Sequence, residues 1–153
     1  MDQTRVAQLQ AMAIFGGVRG DVLELLDTQS REMSREAGEF FVREGEAGDL
    51  LYVLLEGQVE VIKAFPSGPR RLRCLGPGDC FGEMALMDMS RRSASVRALS
   101  ACRALEIPAA GLLRVYERDV EQFALLEMNM GREVSRRLRE TDAHLFDPPH
   151  GAE

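Results

Sequence analysis

The sequence predicts an α+β fold: an antiparallel β-roll, a double-sheet jelly-roll-like barrel, with short N-terminal helices and a C-terminal helix pair ending in a long helix. Three observations predict it. Between residues 31 and 107 the apolar runs are short and interrupted by Gly or Pro at near-regular intervals, the texture of an antiparallel sandwich or barrel. Before residue 30 and after Pro108 the apolar residues recur every three or four positions instead, the period of a helix face. The 153 residues suit one domain with one core, placed at residues 1–146, with a loose tail at 147–153.

The elements follow in order. Val6, Leu9, Ala11 and Met12 predict a short helix over residues 3–13, broken at Phe15-Gly16-Gly17. GDVLELLDTQ (20–29) predicts a second, with Asp21 as an acid in its first turn and Val22, Leu25 and Leu26 on one face. The β-roll occupies about 31–107, and its candidate strands are EFFVRE (39–44), LLYVLLEG (50–57), VEVIKAF (59–65), RRLRCLG (70–76), SASVRALS (93–100) and CRALEIP (102–108). Glu56-Gly57-Gln58 reads as a tight hairpin, because glycine takes a positive φ without steric cost. AAGLLRVYER (109–118) predicts a short helix and 119–145 a long one. The long helix carries a stripe of Phe123, Leu126, Met130, Val134, Leu138 and Leu145, with Thr141 at the remaining position. Its opposite face carries Arg132, Glu133, Arg136, Arg139 and Glu140.

Composition narrows the function classes. The formal charge of −6 is a poor match for nucleic-acid binding, which needs a basic face. The N-terminus lacks the pattern of a signal peptide, and no apolar run approaches the length of a membrane span. The expectation is a cytoplasmic protein. Cys74, Cys80 and Cys102 are odd in number and lack CxxC spacing, which suits reduced thiols, with Cys74 and Cys102 in strand-like runs expected to be buried. The only histidines are His144 and His150. That argues against a structural zinc and against a metal enzyme on a double-sheet barrel.

One stretch demands more. Residues 81–96 read FGEMALMDMSRRSASV. They set Glu83 and Arg92 nine residues apart on an apolar scaffold, and buried charges need partners. Gly82 opens a helix-like turn, Glu83-Met84-Ala85-Leu86, whose first amides lack internal partners and favour an anion. Arg92 follows a loop and can return to the same place with a fork that fits phosphate oxygens. Glu83 offers an acceptor pair to a hydroxyl such as a sugar's, and Ser93 adds a hydroxyl beside Arg92. Together these describe a nucleotide site without a metal.

The stretch resembles the phosphate-binding cassette of cyclic nucleotide-binding domains. Their pattern is FGE-(L)-A-L, a short loop, then R-[AST]-A-x-V; here it is Phe81-Gly82-Glu83-Met84-Ala85-Leu86 and Arg92-Ser93-Ala94-Ser95-Val96. VREGEAGDLLYVLLEGQVEVI (42–62) resembles the family's upstream glycine-bearing hairpin through Gly45, Asp49, Tyr52 and Gly57. Arg91 stands where a proline is often found. The resemblance implies that Glu83 holds the ribose 2′-hydroxyl and Arg92 the cyclic phosphate. The amides from Glu83 to Ala85, with Ser93, complete the cradle. The long helix resembles that of the bacterial catabolite-activator family, where it lies over the base and forms the dimer interface. Thr141 falls where that family contacts adenine, and Asp142 replaces the neighbouring serine.

The implied protein is a cyclic nucleotide sensor that does no chemistry and uses no cofactor. It is expected to form a homodimer through 119–145 and to signal to an unnamed protein effector by moving its last helix. Cyclic AMP is the ligand favoured through Thr141. Cyclic GMP is the alternative, since Ser93 and Asp142 suit guanine's amino group and N1. Catabolite-activator relatives continue into a helix-turn-helix where this chain stops at Glu153, so DNA binding by this chain alone is not expected. It is expected to be free-standing. The rival reading is a degenerate roll that dimerises and scaffolds a partner without ligand. Arg70, Arg71 and Arg73 are expected on a solvated strand face, Arg136 and Arg137 on a solvated helix face, and Met84, Met87 and Met89 as core or loop fillers.

Overall fold

A computed structural model describes residues 3–83 and 91–146, with the backbone alone for 141–146. Two helices, α1 (Gln3–Gln10) and α2 (Gly20–Gln29), flank a single 3-10 turn at Ala13–Phe15. Eight strands follow: β1 (Arg31–Arg35), β2 (Phe40–Val42), β3 (Leu50–Glu56), β4 (Val59–Phe65), β5 (Gly68–Leu75), β6 (Cys80–Phe81), β7 (Ser95–Ala98) and β8 (Cys102–Pro108). Helices α3 (Ala109–Arg118) and α4 (Val120–Phe146) close the order. The strands form two four-stranded antiparallel sheets, β1-β8-β3-β6 and β2-β7-β4-β5. The predicted fold class is the observed one.

The core has two layers, and β3 explains both. Leu51, Val53 and Leu55 point to the helices, where they meet Leu9, Phe15, Leu23, Leu26, Leu112, Leu126 and Met130. Tyr52 and Leu54 point the other way, between the sheets, to Phe41, Val59, Leu75, Phe81, Val96 and Ala104. A strand buried on both faces has no polar side to alternate with, so it reads as the continuous run LLYVLL. The inter-sheet layer also holds Glu106, whose carboxylate accepts the Tyr52 hydroxyl at 3.0 Å. Burial and that carboxylate push the Tyr52 phenol up to about 12.

Several expectations need correction. Gly57 has φ +91° as expected, but the turn it serves is not a hairpin. Strands β3 and β4 lie in different sheets, and Gly57 makes the corner between them. A Cβ there would stand 2.5 Å from the Ala101 carbonyl and 2.6 Å from the Cys102 sulfur. Cys74 is exposed, because its neighbours Arg73 and Leu75 take the inner face of β5; Cys80 and Cys102 are buried. Strand β1 was not expected. REMSR is too polar to signal a strand, and it forms because its backbone completes the ladder of β8 as a charged edge. Strand β6, two residues long, is likewise too short to read. The break before the long helix is a cap: Asp119 accepts the amides of Glu121 and Gln122 at 3.1 and 3.2 Å.

Candidate functional site

Arg92 organises the site. Its backbone is clamped first: the Gly45 amide donates to the Arg92 carbonyl at 2.8 Å, and the Arg92 amide donates to the Glu46 carbonyl at 2.8 Å. Gly45 has φ +87°, which lets the 43–46 turn present both groups. The side chain then lies between two glycines. A Cβ on Gly48 would sit 2.2 Å from Arg92 Nε, and one on Gly82 2.5 Å from Nη1 and 2.8 Å from the Leu50 carbonyl. Two of the motif's glycines, Gly45 and Gly82, thus have a direct physical reason. Gly48, which sequence reasoning did not single out, has the tightest one.

The Arg92 guanidinium is buried at 6% exposure. It donates to the Gly82 carbonyl at 3.2 Å and to the Leu50 carbonyl at 2.9 Å. No carboxylate among the described residues forms an ion pair with it. Two neutral carbonyls compensate a buried cation only in part. Glu83 and Arg92, nine residues apart in the motif, therefore do not satisfy each other.

Glu83 is held by another group. Arg137, on α4, donates from Nη1 to Glu83 Oε1 at 2.6 Å and from Nη2 to the Cys80 carbonyl at 2.5 Å. Both side chains are buried. Arg137 was expected on a solvated face, and that expectation is wrong. It lies three residues after Val134 and four before Thr141, on the stripe that faces the roll, so the periodicity could have found it. The second oxygen, Glu83 Oε2, is buried and has no hydrogen-bond partner among the described residues. A buried acceptor without a donor costs about 1–3 kcal/mol, more when charged.

The two groups open on one cavity of about 260 Å³, near the lower end of the range for small-molecule sites. One end is polar: Gly82, Glu83, Arg92, Ser93 and Ala94. The rest is largely apolar, from Val42, Val61, Leu72, Leu75, Phe81, Val96, Val134 and Leu138, with Arg73 and Arg137 among them. Phe81 is fixed by stacking on Tyr52 with ring centres 5.0 Å apart and by an edge contact to Phe41. Of the predicted site residues, Phe81, Gly82, Glu83, Arg92, Ser93 and Ala94 all line this cavity. Met84 and Ala85 lie outside the described residues, as do Met87 and Met89. Thr141 and Asp142 fall within α4, with side chains outside the description. The expected solvated face of β5 holds for two of its three arginines: Arg70 and Arg71 are exposed, but Arg73 lines the cavity.

Among the described residues the arrangement offers a cation without a counter-ion, an acceptor without a donor and an apolar wall. That suits an anionic ligand with a hydroxyl and a flat apolar body. The sequence profile of the cyclic nucleotide-binding domain matches residues 32–119, more than half of the chain. The chain belongs to that family. It is 30% identical over 140 residues to the CRP-like cAMP-activated global transcriptional regulator of Mycobacterium tuberculosis, covering 91% of this chain and 61% of that one. The chain thus spans less than two thirds of this relative's length. The structure of Thermus thermophilus catabolite activator protein matches with a TM-score of 0.75 at 30% identity, covering 87% of this chain and 61% of that one. A cyclic nucleotide-binding domain from Methylobacillus flagellatus matches with a TM-score of 0.84 over 96% of this chain and 83% of that one, at 22% identity; that likeness speaks to the fold.

Among the described residues no helix is long and apolar enough to cross a membrane, and no His, Cys, Asp and Glu group could hold a metal ion.

Proposed function

We propose that this cyclic nucleotide-binding domain is a sensor that binds a cyclic purine nucleotide and does no chemistry. One observation carries the reading: a buried guanidinium and a buried carboxylate oxygen, neither paired with an opposite charge or donor among the described residues, share one cavity. A cyclic phosphate supplies the anion to Arg92, and a ribose 2′-hydroxyl supplies the donor to Glu83 Oε2. The apolar wall takes the base. Cyclic AMP and cyclic GMP are the two candidate ligands. Thr141 supports the first by resemblance, as does the name of the M. tuberculosis relative. Ser93 and Asp142 support the second.

The switch element is α4. It carries Arg137 into the site and Val134 and Leu138 onto the cavity wall, so ligand and helix share contacts. A second copy is the proposed partner of its free side. The stripe assigned from sequence mostly serves the chain itself, since Leu126 and Met130 are buried in its own core. A row that shares only Leu138 with that stripe faces solvent through Ala124, Met128, Ser135 and Leu138, with half-buried Gly131 between them and Met128 55% and Leu138 60% exposed. Its steps of four, three, four and three are the period of a paired-helix seam. Small residues within it let two helices approach closely.

The test is calorimetric titration of the purified chain with cyclic AMP and cyclic GMP, beside Arg92→Ala. Truncating one partner of a buried charged contact typically costs 2–5 kcal/mol, so affinity should fall at least about 30-fold. Absence of heat from either nucleotide, on folded protein freed of co-purified ligand, would sink the sensor reading. Met128→Glu should monomerise the protein in sedimentation experiments; a variant that stays dimeric would remove the proposed seam, and a monomeric wild type the proposed dimer.

A further inference from the structure

The residues on either side of Arg92 are braced by side chains. Arg91, before it, donates from Nη1 to the Gly45 carbonyl at 3.0 Å. Ser93, after it, precedes β7, whose ladders start at Ser95 opposite Ile62 and at Val96 opposite Val42. A side chain therefore does for Ser93 what a ladder does for β7: Lys63 Nζ donates to the Ser93 carbonyl at 2.7 Å.

The strand period places that lysine. Val61 lines the cavity, and Lys63, two residues on in β4, leaves the sheet on the same face. It is one step past the last rung to β7, so it overhangs the segment that enters β7. Glu44 closes the arrangement. Its amide donates to Ser95 Oγ at 2.8 Å, its Oε1 accepts the Ala64 amide at 2.9 Å, and its Oε2 lies 3.9 Å from Lys63 Nζ. The ammonium thus stands between a carboxylate and a carbonyl, and it ties the end of β4 to the residue that follows Arg92. The choice of residue type fits the task. The chain has 19 Lys and Arg residues, and Lys63 is the one lysine. Arginine's planar fork suits paired carboxylate oxygens, as Arg103 shows on Glu56, whereas a lysine ammonium is a compact point donor that suits a single carbonyl.

We propose that Lys63 is a positioning residue for the anion end of the site: it fixes the Ser93 backbone beside Arg92 and so sets nucleotide affinity. The inference rests on the cyclic-nucleotide reading of the site above. Ser93 and Ala94 line the cavity, whereas Lys63 stands outside its lining, so the lysine acts through Ser93. Without the ammonium, the peptide between Ser93 and Ala94 is ordered only when a ligand orders it, and that ordering weakens binding. The loss falls on cyclic AMP and cyclic GMP alike, because it arises at the phosphate they share.

The experiment titrates the full chain calorimetrically with both nucleotides, beside Lys63→Met and Lys63→Arg. Met keeps the apolar stem and removes the charge; Arg keeps a charge and donors. A net hydrogen bond corresponds to about 2- to 12-fold in an equilibrium constant, so Lys63→Met should bind more weakly by that factor, and Lys63→Arg should keep most of the wild-type affinity. Circular dichroism melts establish that both variants fold. A single lysine also permits a chemical version on the wild-type chain. Acetylation by an N-hydroxysuccinimide ester bonds Nζ to the acetyl carbon, breaks the bond from that carbon to the N-hydroxysuccinimide oxygen and releases the ammonium protons that the amide no longer carries, so the charge is lost. Acetylated wild type should bind as weakly as Lys63→Met, and the same treatment of Lys63→Arg, which leaves only the α-amine to react, should change nothing. Four results overturn the proposal: wild-type affinity in Lys63→Met, equal losses in Lys63→Met and Lys63→Arg, a loss confined to one nucleotide where both bind, or acetylation that weakens Lys63→Arg as much as wild type. Failure of wild type to bind either nucleotide is a separate outcome, which removes the sensor reading itself and this inference with it.

Discussion

Replacing Arg137 with Met tests how the last helix is tied to the site. Arg137 Nη1 lies 2.6 Å from Glu83 Oε1 and Nη2 lies 2.5 Å from the Cys80 carbonyl. Its side chain is 11% exposed and that of Glu83 5%. Met keeps most of the apolar stem and removes the charge. Glu83 then has neither oxygen paired, since Oε2 already lacks a partner among the described residues. Removing one member of a buried ion pair costs about 3–5 kcal/mol, because the other charge stays buried alone. A domain of this length loses roughly 2–4 °C per kcal/mol, so the melting temperature should fall by about 6–20 °C. The charge-free pair Glu83→Gln with Arg137→Met should recover much of that, since replacing a whole buried pair is often near neutral. Urea denaturation of the four proteins in a double-mutant cycle gives the coupling directly. Single losses that simply add, with coupling under about 0.5 kcal/mol, would refute the buried pair as the tie.

Gly48→Ala should keep the fold and lose nucleotide affinity, because the new Cβ would lie 2.2 Å from Arg92 Nε; a titration that matches wild type refutes the glycine clamp. Asn129 donates from Nδ2 to the Ile14 and Gly16 carbonyls, both at 3.0 Å, and is buried. Asn129→Leu should cost about 1–3 kcal/mol in urea denaturation, from the acceptors left unpaired; no loss would mean that the anchor is dispensable. Arg97 and Arg71 hold the Glu60 carboxyl below the usual carboxylate range. Its contribution to stability is then present above about pH 4.3, the unfolded value, and is lost as pH falls through the lower folded value. Glu60→Gln should flatten the acid limb of melting temperature against pH; an unchanged slope assigns that limb to other groups.

The alternation of Gly and Pro with short apolar runs carried the roll, and the cassette residues carried the phosphate end of the site. Both are local in sequence. What was not legible depends on contacts between distant segments. Arg31–Arg35 becomes a strand only because β8 offers it a ladder, and its own residues favour nothing. Gly57 looks like a hairpin glycine because a corner between sheets needs the same positive φ. Arg73 looks like one of three strand arginines, and only the register and its bulge separate it from Arg71, which faces out to Glu60. Arg137 looks like the partner of Arg136. A turn of α4 sends one to the surface acids Glu133 and Glu140 and the other to Glu83.

Glu83 has two carboxylate oxygens, and the structure gives them different faces of the problem. Oε1 belongs to α4 through Arg137, and Oε2 has no hydrogen-bond partner among the described residues. A ligand hydroxyl donating to Oε2 would therefore not compete with the helix for the same acceptor. It would fix the carboxylate that Arg137 grips, and the helix would in turn hold the carboxylate for the ligand. Each makes the other's contact less costly to form, which is positive coupling and must be reciprocal. Asn129 limits where that coupling can act. It pins the first half of α4 to Ile14 and Gly16 on the N-terminal turn, so the part of the helix that meets the site lies after it. The proposed seam through half-buried Gly131 and exposed Ser135 and Leu138 lies in that same part, so the proposed contact with a second copy would fall on the segment that the ligand contact would hold.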